Sequence, residues 1–190
     1  PETELLAEAA WAVAAIKEES VVLDIGTGSG CLAVSVAVHA EETTIHALDI
    51  STAAINVARA NAERHGVAER IIFHEGDARV ALPGTCLFDV IVSNPPYIPS
   101  AEIESLQIEV RDHDPRLALD GGLDGLEFYR SLAVSCLSRL RSDGRLLLEV
   151  GDGQGEVVAD LITAQGGRVL EILPDLNNIE RIVVASSDNS

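Results

Sequence analysis

Short apolar runs rich in Val, Ile and Leu alternate along this chain with longer segments in which apolar residues recur at helical spacing. Val21-Val22-Leu23-Asp24-Ile25, Thr44-Ile45-His46-Ala47-Leu48, Arg70 to His74 and Phe88 to Ser93 read as the first four strands. Helices are predicted over Thr3 to Ile16, over Cys31 to His39 and over Ser51 to His65, the last with Ser51 or Thr52 as N-cap and Gly66 as terminator. Glu102 to Asp120 carries charge, Pro115 and no clear period, so it reads as an active-site loop with a short helix near its start. Asp124 to Leu140 returns to helical spacing. After an Asp143-Gly144 turn come strand Arg145 to Val150, helix Gln154 to Ala164, strand Arg168 to Leu173 and strand Ile179 to Ala185. Alternation of strand and helix implies an α/β domain around a mostly parallel sheet. Two final strands without a helix between them imply an antiparallel hairpin at one edge.

At 190 residues and 47% hydrophobic, the chain reads as one domain with a sizeable core over residues 1–185, and Ser186 to Ser190 reads as a frayed, disordered tail. There are 31 acidic residues against 13 basic ones, a formal net charge of −18. Such a surface repels phosphate backbones, so no direct nucleic-acid partner is expected. Cys31, Cys86 and Cys136 are far apart and odd in number, which reads as buried or semi-buried thiols in a reducing compartment. The five histidines lack ligand spacing, so no metal is expected. With no membrane-length apolar stretch and no leader, the protein is read as a soluble, cytoplasmic monomer. It contains no methionine, and is read as a piece of a longer protein.

Chemistry gathers at the predicted strand ends. The turn Gly26-Thr27-Gly28-Ser29-Gly30 has a G-x-G-x-G spacing, which lets a backbone bend sharply and approach a ligand where a Cβ would intrude. Asp49 ends the second strand, where a carboxylate can take both hydroxyls of a ribose. Asp77 ends the third, where it can meet an adenine amino group. Either acid alone would read as a turn or capping residue; the pair at successive strand ends points to a nucleoside. Asp24 either helps hold an ammonium group or bonds to the turn. Nothing calls for a pyrophosphate clamp, and the nucleoside best fitted is S-adenosylmethionine, with S-adenosylhomocysteine as product.

Asn94-Pro95-Pro96-Tyr97 follows the fourth strand. An amide or exocyclic amino nitrogen is a poor nucleophile, because its lone pair is delocalised, so an enzyme must hold the NH2 group through acceptors. Asn94 offers a side-chain carbonyl, Pro95 a backbone carbonyl aimed by two restricted prolines, and Tyr97 a flat face. Alone, this tetrapeptide would be a proline-rich turn. Behind a glycine turn it points to methyl transfer onto a planar nitrogen, with Asn94 and Pro95 catalytic and Asn94 to Tyr97 binding the acceptor.

These motifs resemble those of the release-factor glutamine methyltransferases. Pro1-Glu2-Thr3-Glu4 is similar to that family's domain-opening motif, Asp114 to Gly122 to its loop after the active site, and Leu148-Glu149-Val150-Gly151 and Asp175 to Val184 to its later segments. The resemblance implies a class I, Rossmann-like methyltransferase fold with a seven-stranded sheet. It implies that Gly26, Thr27, Gly28, Ser29, Gly30, Asp49, Asp77 and Ala78 surround the cofactor, with Asn94 touching cofactor and substrate. The implied reaction methylates the glutamine amide of a Gly-Gly-Gln motif in peptide chain release factors, modulating translation termination. Some members carry a large side chain beside the third-strand acid, whereas this chain has Ala78, so adenine packing falls to Ile50. Full-length members carry an N-terminal domain that docks the release factor, and the chain is read as the catalytic domain without it. Two other readings are a DNA adenine-N6 methyltransferase, which shares an NPPY motif but needs a basic groove, and a non-catalytic nucleoside-binding domain.

Overall fold

The computed structural model describes residues 2–106 and 115–187. Asp114 and Pro1, quoted above within two motifs, lie outside the described residues, as do residues 188–190. Seven strands form one sheet: β1 (Val21–Ile25), β2 (Thr44–Asp49), β3 (Ile71–Glu75), β4 (Phe88–Ser93), β5 (Leu140–Glu149), β6 (Gly167–Pro174) and β7 (Glu180–Ser187), in the order β3-β2-β1-β4-β5-β7-β6. β1 to β5 pair in parallel, while β7 runs antiparallel to both β5 and β6. The edge hairpin expected from two consecutive strands is therefore present.

Helices α1 (Glu2–Ala14), α2 (Cys31–His39) and α3 (Thr52–Arg64) cover one face of the sheet, and α5 (Glu127–Cys136) and α6 (Gly155–Ala164) the other; α4 (Arg116–Leu119) is a single turn. Successive residues of a strand point to opposite faces, and here both faces are buried. Thus Val22, Val90, Val92 and Leu147 pack under α1 and α2, while Leu23, Ile91, Leu146 and Leu148 pack with Tyr129, Leu132 and Val158. This is why the central strands read as continuous apolar runs rather than alternating ones. At the amino ends of the strands, buried Asp89 accepts from Val21 N–H at 2.9 Å and pairs with Lys17 at 2.9 Å and Arg141 at 3.0 Å, tying β1, β4 and β5 together.

Four expectations need correction. Ser186 and Ser187 close β7 instead of fraying, because Ser187 still pairs with Gly167. β5 begins at Leu140: Phe88 pairs with Leu140 and Val90 with Arg145, so the expected Asp143-Gly144 turn is a bulge within the strand. The helix expected from Asp124 starts at Glu127 and gives way to a 3-10 turn at Leu137–Arg139. Cys31 and Cys86 are exposed, and only Cys136 is buried. Within Glu102 to Asp120 the short helix near the start is a 3-10 turn, Ile103–Ser105. The connection from β3 to β4, residues 76–87, holds turns and no helix.

Candidate active site

Parallel pairing in register brings the carboxyl ends of β1 to β5 to one end of the sheet: Ile25 lies beside Leu48 and Ser93, Asp49 beside Glu75, and Ser93 beside Leu148. The chain leaves β1 through three glycines in the left-handed region, Gly26 at φ 71°, Gly28 at 55° and Gly30 at 83°. They serve different ends. A Cβ on Gly30 would lie 2.9 Å from the Cβ of Ala58, so that glycine lets α3 pack against the start of α2. A Cβ on Gly26 would meet nothing within 4 Å; its requirement is the backbone angle, which turns amides back onto β2. Gly26 N–H and Thr27 N–H both donate to the Leu48 carbonyl, at 2.8 and 3.0 Å.

Asp24 lies beneath this turn, fully buried. Its Oδ2 accepts from the Thr27 hydroxyl at 2.6 Å and from Ala33 N–H at 3.1 Å, while Oδ1 has no hydrogen-bond partner among the described residues. Burial pushes its pKa up to about 6 despite those two donors. Of the two options left open for Asp24 by the sequence, the bond to the turn is present: one oxygen braces it, and the other is a buried acceptor. Asp49 braces the turn from the second strand, accepting from Gly28 N–H at 2.8 Å and from Ser51 N–H at 2.9 Å. Gly76 N–H donates to the Asp49 carbonyl at 2.9 Å, which sets Asp77 next along the strand ends. Asp77 is engaged by Arg79 through Nε and Nη2, the latter at 2.8 Å, and these bonds hold its carboxyl below the usual range. Ile50 is half exposed, and Ala78 is buried in the cluster that contains Leu48.

β4 ends at Ser93, whose hydroxyl donates to the Ile25 carbonyl at 2.8 Å and so fixes the two strand ends together. Asn94 follows, donating through Nδ2 to the Thr3 hydroxyl at 3.2 Å. Tyr97 is clamped by backbone. Its neighbour Ile98 exchanges bonds with Leu119 and Gly121, the Tyr97 carbonyl accepts from Gln154 Nε2 at 3.0 Å, and Gln154 Oε1 accepts from Gly151 N–H at 3.1 Å. A Cβ on Gly121 would lie 2.8 Å from the Tyr97 Cα, one on Gly151 would lie 3.0 Å from its ring, and one on Gly125 would overlap its carbonyl oxygen.

A cleft of about 480 Å³ joins the turn to the tetrapeptide, lined by Gly26, Thr27, Gly28, Ser29, Asn94, Pro95 and Tyr97 together with Thr3, Cys31, Leu32, Ile98, Ala118 and Leu119. Gly30, Asp49, Ile50, Asp77, Ala78 and Pro96 do not line it; Asp49 reaches it through the Gly28 amide. The cleft size suits a small ligand, and left-handed glycines, backbone surface without side chains and a carboxylate at the β2 end fit a nucleoside-bearing cofactor. A larger hollow of about 740 Å³, lined by Glu18, Glu19 and Glu42, lies at the amino ends of β1 and β2. Ligands of open parallel sheets bind at the carboxyl ends, so the smaller cleft is the candidate site. Sequence reasoning missed Thr3 as part of its lining, and Gln154 and Gly125 as the supports of the Tyr97 carbonyl. Among the described residues, no group of His, Cys, Asp and Glu is placed to hold a metal ion, and no helix is long and apolar enough to cross a membrane.

Residues 3–113 match the family model for the methyltransferase small domain. The chain is 46% identical over 187 residues to a release factor glutamine methyltransferase of Cereibacter sphaeroides, covering 97% of this chain and 64% of that protein. It is 44% identical over 164 residues to one of Geobacter sulfurreducens, covering 86% of this chain and 57% of that protein. It therefore spans about three fifths of the length of these curated relatives. In fold it is similar to a TehB-like SAM-dependent methyltransferase from Corynebacterium glutamicum, with a TM-score of 0.62 at 17% identity over 95% of this chain and 86% of that one.

Proposed function

The chain belongs to the methyltransferase small domain family, and from that premise we propose that it methylates the side-chain amide nitrogen of the glutamine in a Gly-Gly-Gln segment of a peptide chain release factor, with S-adenosylmethionine as donor. The observation that carries the reading is the cleft in which Asn94, Pro95 and Tyr97 face the Gly26 to Ser29 turn. Relatives over 40% identical bear the name of that activity.

The cofactor, when bound, supplies an electrophilic methyl group. Gly26, Thr27, Gly28, Ser29 and Gly30 would hold its amino-acid end and ribose, Asp49 the ribose hydroxyls, Asp77 and the Ala78 backbone the adenine edge, and Ile50 the adenine face. Asn94 Oδ1 and the Pro95 carbonyl accept from the two hydrogens of the substrate NH2. This holds the nitrogen with its lone pair directed along the cleft. Pro96 fixes the Pro95 carbonyl, and the Tyr97 ring supports the flat amide. No strong base is needed, because an amide nitrogen that has gained a methyl group is acidic enough to lose its extra proton to water. Positioning and oriented acceptors supply the acceleration.

The reading places the reaction in the cytoplasm, on a protein rather than a nucleic acid. With 31 acidic and 13 basic residues, the chain has little to offer a phosphate backbone. The test is mass mapping of a bacterial-type release factor after incubation with labelled S-adenosylmethionine. A methyl group on the Gly-Gly-Gln glutamine is expected. Asn94→Ala should slow single-turnover transfer by roughly 10²-fold with a smaller effect on thermal stability. Transfer at the parent rate would make the tetrapeptide a structural turn.

A further inference from the structure

The Asn94 side chain has two ends of nearly equal shape and opposite chemistry. Oδ1 accepts, and Nδ2 donates. Only Oδ1 can receive a hydrogen from a substrate NH2 group, so the reading above requires the amide to be held with one particular end toward the acceptor. The Asn94 amide hydrogen bonds to the Thr3 hydroxyl at 3.2 Å, and that hydroxyl donates onward to Glu149 Oε2 at 3.3 Å. The three residues come from the first turn of α1, the end of β4 and the end of β5. Ser93 and Leu148 are register partners, so Asn94 and Glu149, the next residue of each segment, come side by side. Glu149 is only 4% exposed, and its backbone is held by the Tyr129 hydroxyl, which donates to the Glu149 carbonyl at 2.8 Å.

This chain of bonds has a direction. Thr3 has a single hydroxyl proton, and it goes to Glu149 Oε2. What Thr3 then shows Asn94 is a lone pair, which selects Nδ2 and leaves Oδ1 for the cleft. We infer that Thr3 and Glu149 are positioning residues that set which end of the Asn94 amide meets the methyl acceptor. The inference rests on the proposed methyl transfer, and gives a role to two segments whose part in the site the sequence leaves unassigned. A hydrogen-bonded staple joining α1 to the sheet would place the same atoms together, but it would be indifferent to the direction of donation.

Glu149→Gln tests direction. The substituted side chain keeps the shape and can still bond Thr3, but its amide can donate as readily as accept, which lets the hydroxyl turn toward Asn94 and the Asn94 amide reverse. Thr3→Val removes the hydroxyl at constant shape, and Thr3→Ser restores it. Each variant of the full chain is assayed for single-turnover transfer to a release factor at saturating S-adenosylmethionine, for S-adenosylhomocysteine affinity by calorimetry and for thermal unfolding. The expected result is a rate lower by about 10-fold or more in Glu149→Gln and Thr3→Val, below the loss from removing Asn94 itself, and a Thr3→Ser rate near the parent. Product affinity should stay within about twofold, since the amide orientation matters to the acceptor. Parent-like rates in Glu149→Gln and Thr3→Val would overturn the inference alone. Losses of rate that track losses of affinity and melting temperature in both, unrelieved in Thr3→Ser, would reduce the chain to a staple and overturn it as well. A parent enzyme that transfers nothing would overturn the proposed function, and this inference with it.

Discussion

Asp24 shows how one residue can carry a cost at neutral pH for the sake of a site. Its carboxyl is buried, one oxygen is unpaired among the described residues, and its pKa stands at about 6 against 3.8 for the free side chain. A folded-state value above the unfolded one means that the native state binds more protons between them, so the contribution of Asp24 to stability is fully present below about pH 4 and is lost as pH rises through 6. Asp24→Asn keeps an acceptor for Thr27 and Ala33 but has no charge to bury. Urea unfolding should find the variant more stable than the parent at pH 8, by at most about 3 kcal/mol, and the gain should shrink toward pH 4. A gain independent of pH would mean that ionisation of Asp24 is not its source. At this scale the sequence was most legible where function needs unusual residues close together: three glycines in five positions, and asparagine followed by two prolines. The places of Asp49 at the end of β2 and of Asp77 just after β3 were legible because the strands were. Thr3 was not, because nothing local distinguishes a threonine in a first helical turn from a capping residue; its partners are 91 and 146 residues away.

Among elements, the glycine-rich segment from Gly121 to Gly125 does for Tyr97 what Gly30 does for the packing of α3 against the start of α2. It lets backbone pass where a side chain would collide. Gly125 sits at φ 75° and a Cβ there would overlap the Tyr97 carbonyl oxygen, which also receives Gln154. Gly125→Ala should lower stability by about 1–3 kcal/mol, from the left-handed angle and the displaced carbonyl. It should also slow methyl transfer, because Tyr97 shifts, while product affinity at the β1 turn holds. Thermal unfolding and the transfer assay on one preparation check both halves. Charge and Pro115 pointed to a loop over Glu102 to Asp120, of which residues 107–114 lie outside the described residues; the way the end of that segment locks Tyr97 was not evident, since the contacts join segments distant in sequence. The β5 bulge was hidden for a related reason. Asp143-Gly144 has the composition of a turn, and whether a turn ends a strand or swells it depends on the partner; here Phe88 pairs with Leu140 before the bulge and Val90 with Arg145 after it.

For the whole molecule, the order of layers followed from the alternation of apolar runs with helical segments, and the antiparallel edge followed from two strands with no helix between them. The position of β7 between β5 and β6 did not follow, because strand order is set by long-range packing. The opposite edge has a further consequence. Among the described residues β3 pairs only with β2, and the connection from β3 to β4 supplies no helix to cover them, so the stacked rings of His46 and His74, 5.0 Å apart, lie on a face to which that connection adds no helix. Backbone amides in such a strand exchange with solvent through local openings that cost far less than global unfolding. In deuterium exchange, β3 should therefore label well before β1 and β4. Asp77 follows closely after β3, so S-adenosylhomocysteine should slow labelling most in β3, three strands away from the methyl acceptor at the end of β4. Equal protection along β1 and β3 would place the adenine elsewhere. Strongest slowing in β3 would show the cofactor in a second capacity, as the missing fastening of a loose sheet margin whose order rises and falls with occupancy.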